Sequence, residues 1–310
     1  MKELRTALEE YLKVRRMFGF KLCIPGRLLQ RFVAYAEQQG ASCITRELAV
    51  QWATQPQHCQ PAQWANRLSM VRTFARYVSA TDPRTEIPPE GLLPHRFRRK
   101  APYLYTDEEI ARLIEAARHL PSPQGLRAAT YATLFGLLAV TGMRMSEPIA
   151  LDRDAVDLTR GILTVRRTKF GKTRIIPIHA STLKELRQYN ELRDRLCPRA
   201  QTRSFFISEQ GTRLTGWSVD WTFVKLSRQI GLRGPDDPHG PRLHDLRHRF
   251  AIETLIRWYR AGVNVEQHLP ELSTYLGHVH VRHTYWYITA VPELLRLATL
   301  RLEEKGEKLS

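Results

Sequence analysis

Apolar residues recur at three- and four-residue intervals through most of the chain, the spacing that gathers them on one face of a helix. The first hundred residues carry it in "ELRTALEEYLKVRRMFGF", "GRLLQRFVAYAEQQG", "TRELAVQWATQ" and "PAQWANRLSMVRTFARYVSA", so four helices are expected there. Thr45 can cap the third, and Gly40 can end the second. Arg67, Arg72 and Arg76 punctuate the fourth between apolar positions, which suits either a solvated face or contacts to phosphates.

The pattern breaks at residues 82–105, "DPRTEIPPEGLLPHRFRRKAPYLY", which hold five prolines and a basic cluster. Proline lacks a backbone N–H and its ring clashes with the preceding turn, so no helix continues through such a stretch. A first domain is therefore expected over residues 1–85 and a linker over 86–105, with Arg96, Arg98, Arg99 and Lys100 placed to cross a nucleic-acid backbone.

Beyond the linker, Thr106 and Glu109 have capping-box spacing ahead of an apolar-periodic run to about Leu120. "GLRAATYATLFGLLAVTG" is a largely apolar helix closed by Gly142 and should be central to a core. From 155 to 178 the composition turns alternating and β-branched, with breaks at Arg160-Gly161 and at Phe170-Gly171-Lys172, which predicts a three-stranded antiparallel meander. Helical patterns return in "STLKELRQYNELRDRL", "GWSVDWTFVKLSRQI", "LHDLRHRFAIETLIRWYRAG", "NVEQHLPELSTYLG" and "PELLRLATLRLEEKG". The expected class is mainly α with a small antiparallel β-sheet, in two domains. The second domain spans residues 106–290, and a C-terminal helix at 291–310 offers leucines for docking on its own domain or on a neighbouring protomer.

Charge identifies the partner class. The chain of 310 residues has 48 Lys and Arg against 31 Asp and Glu, a formal net charge of +17, shared as +9 over residues 1–103 and +8 over the rest. An excess spread over both halves is the footprint of a protein that contacts a polyanion with both domains. Cys23, Cys43, Cys59 and Cys197 show no metal-ligand spacing and are read as reduced thiols. The charged start and the lack of any apolar run near the roughly 20 residues of a membrane span predict an unexported, cytoplasmic protein with no membrane contact.

The densest chemistry lies in "RLHDLRHRFA", residues 242–251. His244 and His248 are four apart, as two zinc ligands on a helix would be, with Glu253 as a third. A zinc hydrolase would then need Asp245 as its general base, and its side chain is a methylene shorter than the glutamate of such motifs. His244 and Arg247, three apart, instead offer a proton-transfer group beside a phosphate clamp.

Three further stretches decide between them: "TGMRMSEPIAL" (141–151), "TKFGKTRIIPI" (168–178) and "LGHVHVRHTYWY" (276–287). With "HDLRHRFA" they resemble, in order and spacing, the tyrosine recombinase or phage integrase family over the whole second domain. The first domain is similar to that family's core-binding domain in size, helicity and position. The resemblance implies that Arg144 and Arg247 clamp the scissile phosphate. Guanidinium forks match the oxygens that gain charge as phosphorus becomes pentavalent. It implies Lys169 as the general acid on the leaving 5′ oxygen, with Lys172 as the competitor, and His244 as the group that accepts or orients the nucleophile's proton. His278 becomes a hydrogen-bond donor to the phosphate and Glu147 an acidic buttress. The nucleophile, nine positions after His278, is Tyr287, with Tyr285 two residues earlier on another helix face. Arg249, Pro148 and the His-rich "VHVRHTYWY" depart from the family pattern and suggest a divergent, mobile-element branch.

The resemblance implies a site-specific recombinase that cleaves and rejoins double-stranded DNA through a 3′-phosphotyrosine, integrating or excising a mobile element. Since that ester conserves the bond energy, neither metal nor other cofactor is expected. Two protomers should bind an inverted-repeat core site and four should join two sites, with other recombinases or DNA-bending proteins as candidate assistants. A type IB topoisomerase would use the same residue types and is the alternative reading; the zinc hydrolase is the remote one.

Overall fold

The computed structural model describes residues 3–95, 101–166, 173–237 and 239–307. The chain divides into two compact units, Met1–Lys100 and Ala101–Ser310. The first unit holds α1 (Leu4–Met17), α2 (Cys23–Gln38), α3 (Arg46–Thr54) and α4 (Pro61–Val78). Thr45 caps α3 by accepting a hydrogen bond from the Leu48 N–H at 3.2 Å. The apolar stripes meet in one core around Leu29, Phe32, Trp52, Leu68 and Phe74.

Two of the arginines expected on phosphates have partners inside this unit. Arg67 lies over the Trp52 ring at 3.8 Å and donates to the Trp52 carbonyl at 2.7 Å. Arg72 donates to the carbonyls of Pro88 and Pro89, each at 2.7 Å, and so anchors the start of the proline-rich segment on α4. Arg76 is exposed. Arg96, Arg98, Arg99 and Lys100 lie outside the described residues.

The second unit begins with α5 (Asp107–Arg118), where Thr106 and Glu109 form the expected reciprocal cap. Next comes α6 (Leu126–Thr141), buried on most of its surface. Burying one Leu or Phe contributes roughly 1.5–3 kcal/mol, so Leu134, Phe135, Leu137 and Leu138 make α6 the organising element of this core. A short α7 (Ser146–Ala150) leads to β1 (Val156–Asp157), β2 (Ile162–Val165) and β3 (Arg174–Pro177). They pair antiparallel in the order β1-β2-β3, with Val156 opposite Leu163 and Leu163 opposite Ile176. Lys169 and Lys172 lie outside the described residues.

Five helices follow: α8 (Ala180–Leu196), α9 (Gly216–Gln229), α10 (Leu243–Arg260), α11 (Val265–Leu276) and α12 (Arg282–Ala290). The last, α13 (Pro292–Glu307), packs on α10 and α12 of the same chain. Leu294 is fully buried there, Arg260 pairs with Glu293 at 2.6 Å, and Arg301 donates to the carbonyls of Gly262 and Val263. Of the two dockings open to the terminal helix, the structure has the one on its own domain, because α10 to α12 leave an apolar face that its leucines fill.

The spine is α10. Its first turns give Leu243 and Leu246 to the core around α6, while Ala251, Ile252, Leu255 and Ile256 join a second core with α11, α12 and α13. The residues between these sets, 247–250, lie where the two cores meet on one helix.

Candidate active site

Arg247 comes from that middle stretch and is only 2% exposed. Its guanidinium donates to the Gly142 carbonyl at 2.8 Å and to the Leu276 carbonyl at 2.6 Å, tying the ends of α6 and α11 to α10. Helix C-termini leave such carbonyls without partners and favour a cation there. Gly142 has φ +59°, and a Cβ on it would lie 2.6 Å from the Phe250 ring, so only glycine lets α10 approach this closely. Burial, then the like charge of Arg144, lowers the Arg247 pKa to about 10, which still leaves the group cationic at neutral pH.

Arg144, just past α6, donates to the Gly277 carbonyl at 3.0 Å and to Glu147 Oε1 at 3.1 Å. Its side chain is 28% exposed. Glu147 on α7 also receives both Nη atoms of Arg174, at 2.9 and 2.7 Å, from the start of β3. Burial alone would raise the Glu147 pKa, but the Arg174 hydrogen bonds and charge, helped by Arg144, outweigh it and hold the carboxyl below its ordinary range. Glu147 therefore buttresses two arginines. Arg174 was missed by sequence reasoning; its only signal was a position two residues past Lys172.

Arg174 also donates to the Tyr275 carbonyl at 2.9 Å. Carbonyls 275, 276 and 277 thus receive Arg174, Arg247 and Arg144 respectively, and the chain end of α11 gathers three guanidinium groups. Immediately after them, His278 meets Thr284 Oγ1 through Nδ1 at 2.9 Å. Burial, followed by the charges of Arg247 and Arg144, lowers its pKa to about 3.

Tyr287 on α12 is 2% exposed, whereas Tyr285 is 47% exposed. The Tyr287 hydroxyl lies 3.2 Å from His248 Nδ1, and its ring runs nearly parallel to that of His278 with centroids 6.3 Å apart. His248, read from the sequence as a candidate zinc ligand, is the histidine at the phenol. His244, the expected proton acceptor, is exposed and meets the His248 ring edge-on at 4.7 Å. Desolvation by its neighbours and then the Arg247 charge still lower the His244 pKa. Arg144, Arg247, His278 and Tyr287 accordingly converge on one region, with His244 and His248 beside it.

Asp245 is buried, accepts the Arg242 backbone N–H at 2.9 Å and pairs with the Arg242 guanidinium at 2.8 Å. Committed to this helix start, it is unsuited to serve as a hydrolase base. Among the described residues no group of three His, Cys, Asp or Glu side chains is placed to hold a metal ion.

The phage integrase family model matches residues 102–293. A Sinorhizobium fredii protein named "Putative integrase/recombinase y4rB" is 50% identical to this chain over 99% of each. The chain belongs to the phage integrase family. Tyrosine recombinase XerD of Neisseria meningitidis serogroup B is 30% identical over 74% of this integrase and 72% of its own length. In fold, the integrase is similar to the XerH site-specific recombinase solved bound to palindromic difH substrate. The TM-score is 0.66 at 18% identity, over 89% of this chain and 78% of that one. The integrase is thus an enzyme of DNA recombination, a tyrosine-type site-specific recombinase. Among its described residues no helix is long and apolar enough to cross a membrane.

Proposed function

We propose that Tyr287 attacks a backbone phosphate of double-stranded DNA, forming a 3′-phosphotyrosine and releasing a 5′ hydroxyl. That hydroxyl then attacks the same linkage on a partner strand. The observation that carries this reading is the meeting of a buried phenol with a histidine nitrogen at 3.2 Å, beside guanidinium groups anchored on carbonyls 276 and 277. Arg144 and Arg247 stabilise the charge that develops on the non-bridging oxygens, and His278 donates a hydrogen bond to one of them. Lys169 protonates the leaving 5′ oxygen. Glu147 keeps Arg144 in place. In the family's manner, two protomers occupy an inverted-repeat site and four join two sites. The similarity to a protein named integrase/recombinase supports insertion or excision of a mobile element as the biological task.

The test starts from duplexes enriched out of a randomised pool by binding to the full chain. A nick placed beside the cleavage point traps the covalent adduct, because the short severed product diffuses away. Tyr287→Phe should abolish the adduct and keep DNA binding, while Tyr285→Phe should form it. An adduct surviving Tyr287→Phe overturns the assignment. Transfer of the trapped strand to a second duplex, as opposed to resealing alone, separates recombination from topoisomerase action.

A further inference from the structure

Among the described residues, the histidine whose nitrogen faces the phenol is not the first histidine of "HDLRH" but the last. Given Tyr287 as nucleophile, we infer that His248 is the catalytic base that takes the phenolic proton through Nδ1 and returns it when the strand is resealed.

The geometry supports the assignment from three sides. The distance of 3.2 Å between Nδ1 and Oη is a direct hydrogen-bond contact between the base and the reacting atom. The His248 ring stands edge-on to Trp286, at 5.4 Å and 62°, and to Tyr287, at 5.5 Å and 62°, so packing fixes its orientation. Its place one residue after Arg247 ties it to a turn of α10 that Arg247 already anchors on two helix ends. His244 lies farther toward solvent and touches the imidazole of His248. That contact makes His244 a positioning residue.

The ring is neutral before DNA arrives: burial, then the neighbouring His244, lowers its pKa to about 4. With its proton on Nε2, the neutral imidazole leaves the Nδ1 lone pair to accept from the phenol. A phosphodiester bound between Arg144 and Arg247 adds a negative charge nearby, which raises the basicity of His248 when it is needed. The other ionisable groups around it are Asp245 and Arg247 on α10, Arg242 at its start and His278 beyond α11.

In the step itself the Oη–phosphorus bond forms, the bond from phosphorus to the 5′ oxygen breaks, and the phenolic proton moves to Nδ1. The departing oxygen receives its proton from the general acid, assigned above to Lys169. On resealing, the incoming 5′ hydroxyl gives its proton to the Lys169 amine and bonds to phosphorus, the Oη–phosphorus bond breaks, and the Tyr287 oxygen regains its proton from the His248 imidazolium.

The experiment compares the full-length chain with His248→Ala, His248→Asn and His244→Ala on the selected, nicked duplex. A second duplex is the same but has sulfur in place of the bridging 5′ oxygen. Sulfur leaves without a proton, so it relieves any defect in the general acid and none in the base. His248→Ala is expected to slow adduct formation roughly 10²–10⁴-fold on both duplexes with DNA affinity kept. His248→Asn, which keeps an acceptor but cannot hold a proton at neutral pH, should stay at least about 10²-fold slow even if the alanine variant folds poorly. His244→Ala should lose less than about tenfold. Full activity of His248→Asn would reduce His248 to an orienting group and overturn the inference. Restoration of His248→Ala by the sulfur duplex would overturn it too, by moving the residue to the leaving group. If the unsubstituted chain forms no adduct, or Tyr287→Phe still does, the nucleophile reading fails instead.

Discussion

Glu147 and Arg174 face each other as a fork on a fork, with two parallel contacts of 2.9 and 2.7 Å between side chains that are both largely shielded from water. Removing one partner of such a pair leaves a buried charge short of compensation and costs up to about 3–5 kcal/mol; Glu147 would keep only Arg144. Arg174→Ala should therefore destabilise the second unit by that amount and weaken the hold on Arg144. Arg174→Lys should recover only part of it, since lysine cannot match both carboxylate oxygens. Denaturant titration of the two variants and of Glu147→Ala checks this. An Arg174→Ala midpoint equal to that of the unsubstituted chain would show that the pair contributes nothing.

Gly277 should tolerate no side chain. Its φ of +67° disfavours other residues, and an added Cβ would lie 2.8 Å from Arg174 Nη1 and 3.4 Å from Arg144 Nη1. Both guanidinium groups are held on Glu147, so neither can swing away without losing those bonds. Gly277→Ala is expected to lower adduct formation at least tenfold and stability by about 1–2 kcal/mol, the penalty of a left-handed backbone at a non-glycine residue. Single-turnover rates and a melting curve on one preparation read out both effects.

Stability should fall in mild acid. His248 and His278 have folded-state pKa values of about 4 and about 3, below the roughly 6.5 of an unfolded chain, so between these limits the unfolded state binds the extra protons. Their contribution is complete above about pH 6.5 and declines as pH drops through that window, by up to about 1.4 kcal/mol per pH unit for each ring. The depressed Glu147 pKa acts in the same direction at still lower pH. Denaturation at pH 7.5 and at pH 5.5, repeated with His248→Gln and His278→Gln together, should show a slope that the double variant flattens. A slope unchanged by the double variant would mean that other groups carry the acid sensitivity.

On the first unit, arginines should divide by role. Arg76→Ala should lessen the salt dependence of DNA binding by about one unit of slope, as expected for a lost phosphate contact. Arg67→Ala should leave that slope alone and lower the melting temperature, because its guanidinium is engaged with Trp52. Arg72→Ala should loosen the segment around Pro88 and Pro89. Affinities measured from low to moderate salt separate the two groups; an Arg67→Ala slope reduced like that of Arg76→Ala would return Arg67 to the DNA face.

Much of this was legible in the chain because local rules decide it. The Thr106–Glu109 cap, the left-handed Gly142 and the antiparallel meander depend on neighbours a few residues away, and periodicity or turn chemistry exposes them. Partnerships across the fold were not legible. Glu147 and Arg174 are 27 positions apart, Arg247 and Gly142 105, and no spacing rule connects such distances. His248 shows the same limit: two histidines in "HDLRH" have equal standing as letters, and only the packing of α12 against α10 brings the second to the phenol. Arg67 and Arg72 looked like surface charges because their carbonyl partners lie in other elements.

The terminal helix shares one apolar cluster with Tyr287 through Leu294. Tyr287 and the docking of the tail consequently rest on one set of buried contacts, so a change that loosens α13 also removes support from the phenol. A cavity opened at residue 294 should therefore be felt at the phenol as well as in the stability of the fold.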